Sequence, residues 1–350
     1  MLLHDMNAQS DKPLVTISMI TYNQEKFVRD AVKGLLSQDY SPLEIVISDD
    51  CSTDNTWQII QEEVTKYKAN GGEHKIILNH NAHNMGIVKH CEFVGQFRHG
   101  ALVVGCGGDD ISLPNRVSTI VKAWEESGRE ATIIHHGYEE IDIAGNSLGI
   151  KPPRSAQVAL GATAAYDARV FEAFPPLGGN VSIEDQAWAK RALMLGPELR
   201  IDDVLVKYRV GCGVSTKFKS ERERLYLDAI TMVQSCGQVL KDLEEKKDVI
   251  DKERYDLVYE MAFRLYNTKM IDAAIVSRQS IFKRIDALCA KIRSGGLGYN
   301  PVRIYVYGVT YLQPWTLGNF QRQMYLALRR FLRNFLEGVG KRRAQNSYVS

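Results

Sequence analysis

The sequence has few cysteines for its length and lacks the spacing that metal-binding cysteines show. Six cysteines are spread over 350 residues, and no C-x-x-C pair occurs, which argues against a disulfide scaffold and a structural zinc site. No apolar run approaches the roughly 18 residues of a membrane-spanning helix. The first twelve residues lack the basic and apolar regions of a signal peptide. These absences predict a cytoplasmic protein with reduced thiols.

The chain also lacks a strong net charge. Its 44 basic and 42 acidic residues leave a net charge of +2, so no overall basic field attracts nucleic acid, and no nucleic-acid partner is expected. An apolar fraction of 45% and a charged fraction of 25% are typical of a folded globular protein. The positive charge is concentrated near the C-terminus, where residues 320–343 hold seven basic side chains and one acidic side chain.

Short β-branched runs alternate with helical patterns from residue 14 onward. The runs at 14–20, 43–48, 75–78 and 101–104 predict strands, and the segments between them show apolar residues at helical spacing. This alternation predicts an α/β fold with a mostly parallel sheet flanked by helices. Beyond residue 217 the strand signals stop, which predicts a C-terminal helical extension. The expected domains are a tail at 1–12, an α/β domain at 13–217, helices at 218–300, and a basic amphipathic helix with a tail at 301–350.

Polar and acidic residues follow three of the predicted strands. Thr21-Tyr22 follows the first strand, Asp49-Asp50 the second, and Gly105–Asp110 the fourth. The carboxyl ends of parallel strands meet at one edge, where ligands bind in such sheets. Two acidic pairs at this edge suit a divalent cation with a nucleotide diphosphate. Asp54 is instead expected to cap the helix that follows it.

Five sequence blocks, in order, carry a family resemblance. They are TYNQEKFVRDAVKGLLSQDYSPLEIVISDDCSTDNT, NMGI, GDDISLPNR, IEDQAWAKRALMLG and YRVGCGVS. Together they resemble the inverting family 2 glycosyltransferases of the GT-A fold, and the similarity covers about residues 13–216. The resemblance implies a GT-A-like, Rossmann-related sheet and a nucleoside-diphosphate sugar donor, with UDP favoured.

The resemblance assigns residues to the donor site. Thr21 and Tyr22 match the part that packs against the nucleotide base, and Asp50 matches the acid that bonds to the uracil edge. Glu25 matches another acid common in this loop. Lys89 lies close to where relatives place an arginine, and we expect it to reach the nucleotide.

The resemblance also assigns the metal and the catalytic base. Asp109 matches the carboxylate that binds Mn²⁺ or Mg²⁺, with Asp110 beside it. Asp185 matches the general base that deprotonates the acceptor hydroxyl, and Glu184 its neighbour in the acceptor site. Arg209 falls in the block near the donor diphosphate. Inverting transfer needs one such base and a cation that stabilises the departing diphosphate.

Two positions depart from the family pattern. Gly107 stands where many relatives have an aspartate, in a loop whose Gly108 is also assigned to the donor site. Gly211 stands where relatives often have a histidine near the metal. The metal site is therefore expected to be weaker, or to be completed by Arg209 and Lys217 as cationic substitutes.

The segment at 320–343 allows two interpretations. On a helical wheel, arginines oppose an apolar face, so the helix can lie at the inner surface of the cytoplasmic membrane, next to a lipid-linked acceptor. The same apolar face could instead dock on the catalytic domain. For residues 218–300, packing and homo-oligomerisation both fit the pattern.

The sequence thus predicts an enzyme of surface polysaccharide synthesis. It would move one sugar from a nucleoside-diphosphate sugar to a saccharide or lipid-linked saccharide acceptor. Two alternatives remain open at this stage: a nucleotidyltransferase, which would release pyrophosphate, and a sugar-nucleotide-binding scaffold without turnover.

Overall fold

The computed structural model describes residues 12–213 and 221–276, which form a nine-stranded mixed sheet with helices. The strands follow the order β3-β2-β1-β4-β8-β6-β9-β5, and β7 pairs with β6. Their bounds are β1 Val15–Thr21, β2 Leu43–Asp49, β3 Lys75–His80, β4 Leu102–Gly107, β5 Ile111–Ser112, β6 Ile133–Ile141, β7 Ser147–Lys151, β8 Ala164–Asp167 and β9 Glu198–Arg209. The helices are α1 Val28–Leu36, α2 Thr56–Ala69, α3 Ile87–Val94, α4 Arg116–Glu126, α5 Arg169–Glu172, α6 Asp185–Leu195, α7 Glu221–Lys246 and α8 Lys252–Val276.

The first half of the sheet is parallel, as its sequence pattern predicts. β3, β2, β1 and β4 are neighbours and run in the same direction. Their connections contain α1, α2 and α3, because crossover units need a helix to return the chain to the same edge. β1 and β2 are almost wholly buried, which explains their continuous apolar character.

The second half of the sheet brings in antiparallel strands. β8 pairs antiparallel with both β4 and β6, while β9 runs parallel to β6 and antiparallel to β5. The sequence pattern predicts neither β8 nor the start of β9. β8 has only four residues, and β9 begins with charged residues on its exposed side.

Two apolar clusters cover the two faces of the sheet. One cluster joins α1, α2 and α4 to β1, β2 and β4, and includes Val32, Ile60 and Ile120. The other joins α3, α5 and α6 to β6 and β8, and reaches Val239 and Val258. The edge at which β1, β2 and β4 end is thus held between packed helices on both sides.

The helical extension is present in the described residues as α7 and α8. Contacts divide the chain into two units. The first contains residues 12–213 and 234–263, and the second contains residues 221–233 and 264–276. Within the second unit, Lys269 of α8 binds Asp228 of α7 at 2.6 Å. None of the helices in the described ranges is long and apolar enough to cross a bilayer. Lys217 and the basic segment at 301–350 lie outside the described residues.

Candidate active site

The ends of β1, β2 and β4 lie side by side. Thr21 is in register with Asp49, and Ile20 with Gly107. The N–H of Asp50 donates to the carbonyl of Thr21 at 2.9 Å, and the N–H of Gly108 donates to the carbonyl of Ile20 at 3.1 Å. Hydrogen bonding therefore continues beyond the strands and fixes the loops that carry the acids.

Gly108 is required by the close approach of its loop to β1. A Cβ atom at this position would lie 2.5 Å from the Thr21 hydroxyl and would also overlap the Gln24 amide. Thr21 in turn donates its hydroxyl to Gln24 at 2.7 Å. Gly108 thus shapes the loop after β4 through its packing against Thr21.

The loops after β1 and β2 are joined by side chains. Asp54 accepts hydrogen bonds from the N–H of Thr56, the first residue of α2, at 2.9 Å and from the N–H of Glu25 at 3.1 Å. The predicted capping role of Asp54 is confirmed. The Glu25 carboxylate accepts a hydrogen bond from the Asn55 side-chain amide at 2.9 Å, so it supports the start of α2. Tyr22 lies in the same loop with 44% of its surface exposed, available to a ligand.

Asp50 is buried and organises the segment between β3 and α3. Its carboxylate accepts hydrogen bonds from the Asn81 amide at 2.7 Å and from the N–H groups of Met85 and Gly86 at 2.9 and 3.0 Å. Lys89, one turn further along α3, is exposed. A nucleotide base that forms a hydrogen bond with Asp50 would therefore bind a carboxylate whose orientation is already fixed.

The adjacent acids Asp109 and Asp110 have different environments. Asp110 is 3% exposed, and its carboxylate accepts a hydrogen bond from the backbone N–H of Arg209 at 2.9 Å. Burial and the charge of Asp109 raise the pKa of Asp110 well above its usual range. Asp109 is half-buried, and its carboxylate accepts a hydrogen bond from the Cys212 thiol at 3.3 Å. Asp109 is therefore the acid of the pair that is better placed to bind a cation.

Arg209 is occupied by protein groups. Its guanidinium donates to the carbonyls of Asp109, Asp142 and Ile143 at 3.0–3.1 Å and lies 4.9 Å from the centre of the Phe27 ring. These bonds fix the loop that carries Asp109. Arg209 thus stabilises the loop that carries Asp109.

Asp185 begins α6 and is held by a backbone donor. The N–H of Gly161 donates to its carboxylate at 3.0 Å, and a side chain at Gly161 would overlap the same carboxylate. Burial raises the pKa of Asp185, while hydrogen bonds from Gly161 and Glu184 act in the opposite direction. Burial and the charge of Asp185 raise the pKa of Glu184 to about 8. Glu184 is 6% exposed.

The Tyr208 hydroxyl is influenced electrostatically by both groups of acids. Burial raises the pKa of its hydroxyl, and the charges of Asp110, Asp109 and Asp185 raise it further. All three carboxylates therefore lie within electrostatic range of one phenol on β9. The structure brings the predicted cation ligand and the predicted base to the same region of the molecule.

The donor set fits a cation that is shared with a substrate. Within residues 12–213 and 221–276, no three His, Cys, Asp or Glu side chains are placed to hold a metal ion. Mg²⁺ and Mn²⁺ are commonly bound by one or two carboxylates together with substrate phosphates. The half-buried Asp109 suits this arrangement.

Sequence reasoning missed three residues that shape this region. Gly161 bonds to Asp185, the charge of Asp185 influences Tyr208, and Arg116 bonds to the carbonyls of Gly105 and Ala162. Arg116 and Tyr208 lie within two of the five sequence blocks, and this position was the only sequence feature that could have pointed to them. Gly161 lies 24 residues from Asp185, and nothing in the sequence links the two.

Comparison with known proteins supports the same family. Residues 16–170 match the family model described as glycosyl transferase family 2. The match covers less than half of the chain, and this segment is similar to the family 2 glycosyltransferases. The resemblance inferred from the five sequence blocks is confirmed.

The relatives and neighbours agree with this assignment. The chain is 25% identical over 221 residues to the putative colanic acid biosynthesis glycosyl transferase WcaA of Escherichia coli, covering 62% of this chain and 74% of WcaA. Four further curated relatives are matched over only 22–52% of their length. The structure resembles Staphylococcus aureus TarS (TM-score 0.55, 17% identity, 84% of this chain and 50% of TarS). It also resembles the Pyrobaculum calidifontis mannosyltransferase PcManGT (TM-score 0.57, 15% identity, 92% of this chain and 86% of PcManGT). The GT-A-like fold class is confirmed.

Proposed function

We propose that the chain transfers one sugar from a nucleoside-diphosphate sugar to a saccharide or lipid-linked saccharide, with inversion at the anomeric carbon. The observation that carries the proposal is the packing of the turn that binds Asp185 against the strand that leads into Asp109. The Gly161 N–H donates to Asp185 at 3.0 Å, and a Cβ atom at Gly105 of β4 would lie 2.8 Å from the Gly161 carbonyl. Asp109 would hold the cation that binds the leaving diphosphate, and Asp185 would serve the acceptor hydroxyl. The proposed setting is surface polysaccharide synthesis at the inner face of the cytoplasmic membrane, which the name of WcaA supports.

The donor would bind along the ends of β1, β2 and β4. Tyr22 would stack on the base beside Thr21, and Asp50 would accept a hydrogen bond from its edge. We favour UDP because of the family resemblance around Asp50. Lys89, exposed at the start of α3, would meet the nucleotide from the other side. Glu25 and Gly108 would support the loops.

Asp109 would hold a divalent cation together with the diphosphate. When bound, such an ion neutralises the charge of the leaving diphosphate. The complex of PcManGT contains GDP-Man and Mn²⁺, which supports this pairing of donor and ion in the same fold. Asp110 is placed to stiffen the loop through the N–H of Arg209. Gly107 leaves the ribose without a side-chain carboxylate at that position.

The transfer step needs one base. Asp185 would take the proton from the acceptor hydroxyl as the bond from its oxygen to the anomeric carbon forms. The bond between that carbon and the diphosphate oxygen breaks, and the nucleoside diphosphate leaves with the electron pair. A raised pKa brings a carboxylate closer to the proton affinity that a general base needs near neutral pH. One displacement of this kind inverts the configuration.

The deciding experiment is a donor screen of the full chain, using UDP- and GDP-sugars with and without Mn²⁺ or Mg²⁺. We expect one donor to raise the melting temperature more strongly with the ion. Asp185→Asn should keep this shift and lose transfer by at least about 100-fold, the lower range for a general base. Asp109→Asn should lose the ion-dependent part of the shift. Asp202→Asn, at an exposed aspartate on β9, is the matched control.

Three outcomes would contradict the proposal. If no nucleotide sugar raises the melting temperature, the proposal that the chain binds such a donor is wrong. Release of pyrophosphate in place of nucleoside diphosphate would favour a nucleotidyltransferase. Full transfer or full biological function in Asp185→Asn would leave only a binding scaffold.

A further inference from the structure

Arg116, the first residue of α4, is a buried cation whose partners are almost all neutral. Its side chain is fully buried, it forms no ion pair within the described residues, and the charge of Asp110 acts on it from a greater distance. Its guanidinium donates to His136 at 3.1 Å, to the Ser112 hydroxyl at 2.9 Å, and to two backbone carbonyls. A buried charge is costly unless its hydrogen bonds are satisfied, so this arrangement is specific.

The two carbonyls belong to different parts of the active site. The Nη2 atom of Arg116 donates to Gly105 and to Ala162, at 2.8 Å each. Gly105 lies in β4, two residues before the end of the strand that leads into Asp109. Ala162 lies in the turn that begins at Gly161. One nitrogen atom therefore bridges the donor-side strand and this turn.

The turn is the segment that holds Asp185. The N–H of Gly161 donates to the Asp185 carboxylate at 3.0 Å. The turn also packs on β4 without space between them, because a Cβ atom at Gly105 would lie 2.8 Å from the Gly161 carbonyl. The connection thus runs from β4 through Arg116 to the turn, and from the turn to Asp185.

We propose that Arg116 is a positioning residue for the transfer reaction, which sets the distance and orientation of Asp185 relative to the strand that carries Asp109. This inference rests on the proposed function. Arg116 would not contact substrate. It would act through the carbonyls of Gly105 and Ala162, while its charge also acts on Asp110. Lysine keeps the charge but lacks the planar fork that serves several acceptors at once.

The expected effect on Asp185 follows from its surroundings. Besides Glu184, the ionisable groups that face Asp185 in the described chain are Cys91 of α3, Tyr166 of β8 and Tyr208 of β9. The hydrogen bond from Gly161 favours the ionised carboxylate. If the turn shifts, this bond weakens and the pKa of Asp185 rises.

The test compares Arg116→Lys with Ser112→Ala, which removes one bond of Arg116 but leaves both carbonyl bonds. In Arg116→Lys we expect the acid limb of the kcat/KM profile to move to higher pH by about half a unit or more, because hydrogen bonds to a carboxylate shift its pKa on this scale. We also expect kcat to fall about tenfold or more with the donor KM changed less than about threefold, since misplaced groups mainly slow the chemical step. Ser112→Ala should leave the profile in place. An unshifted acid limb in a folded Arg116→Lys protein would overturn the inference.

A second measurement separates this inference from the proposed function and does not need turnover. Melting temperatures are recorded for Arg116→Lys, Asp185→Asn and the double variant at several pH values. Non-additive changes support the connection, because uncoupled sites add, and additive changes overturn it. If Arg116→Lys fails to fold, Arg116→Gln, which also loses the planar fork, replaces it in both experiments with the same expected shift. If the wild type transfers no sugar, the proposed function fails while this cycle still decides the role of Arg116.

Discussion

Glu184 is a buried acid whose ionisation is predicted to weaken the fold. Its pKa of about 8 lies above the value of 4.5 expected for an unfolded chain. The native state therefore binds the proton more tightly, so stability decreases as the pH rises from about 4.5 through 8. Glutamine cannot ionise and escapes this loss. We expect Glu184→Gln to melt close to the wild type at pH 5 and several degrees higher at pH 9, a scale set by an unfolding free-energy change of a few kcal/mol.

The control for this prediction is Glu172→Gln, which changes an exposed glutamate on α5. Its difference in melting temperature from the wild type should stay constant from pH 5 to pH 9. If the difference for Glu184→Gln is equally constant, Glu184 ionises in the folded protein as readily as in the unfolded chain.

At the scale of single residues, the sequence identifies which side chains meet but not their charge states. Asp54 could be assigned to its helix because capping is a local interaction. The local pattern does not distinguish Asp109 from Asp110, and only the family resemblance assigns the cation to Asp109. The group that separates the two environments is the N–H of Arg209, which lies 99 residues beyond Asp110. Long-range backbone donors of this kind leave no local pattern.

At the scale of elements, α6 is fixed to α7 by a buried ion pair. Arg191 donates to both carboxylate oxygens of Asp242 at 2.7 and 3.0 Å, and the two side chains are 3% and 0% exposed. Removing one partner leaves an unpaired buried charge, which costs about 3–5 kcal/mol. We expect Asp242→Asn, which preserves the size of the side chain, to lower the melting temperature by on the order of 10 °C.

The matched comparison is an exposed ion pair on the same helix. Lys241 and Glu245 approach to 3.6 Å with 67% and 47% of their side chains exposed. Glu245→Gln should cost less than about 1 kcal/mol, because solvent screens such pairs. Equal effects of the two substitutions on melting would show that the Asp242 bond contributes no more than a surface contact.

The elements that the sequence predicted are those with strong periodicity. β1 and β2 have continuous apolar runs because both faces of the sheet are covered there. The four residues of β8 contain two alanines and an aspartate, so no strand pattern is visible. β8 exists because β4 and β6 offer it antiparallel partners on both sides. Only the assembled sheet determines this strand.

At the scale of the whole molecule, the helical extension contributes to the core of the α/β domain. Val239, Leu243, Val258 and Ala262 are fully buried in the cluster that covers β6, β8 and α6. The charged pattern of residues 221–276 gave no sign of this, because a few apolar side chains at helical spacing are enough to cover one face. The boundary predicted near residue 217 therefore cuts through a packed surface, although strand signals stop there.

A chain that ends at residue 217 tests this conclusion. It retains residues 16–170, which match the family model, but it loses the four buried side chains and leaves Arg191 without Asp242. Burying an aliphatic side chain contributes about 1.5–3 kcal/mol, so the lost burial is comparable to the whole stability of a typical domain, about 5–15 kcal/mol. We expect circular dichroism to show no cooperative melting for the fragment under conditions in which the full chain melts sharply, and we expect the fragment to bind an apolar dye such as ANS. A fragment that melts like the full chain, without dye binding, would show that the sheet and its own helices are sufficient. In that case residues 234–263 would be a separable attachment to the catalytic domain.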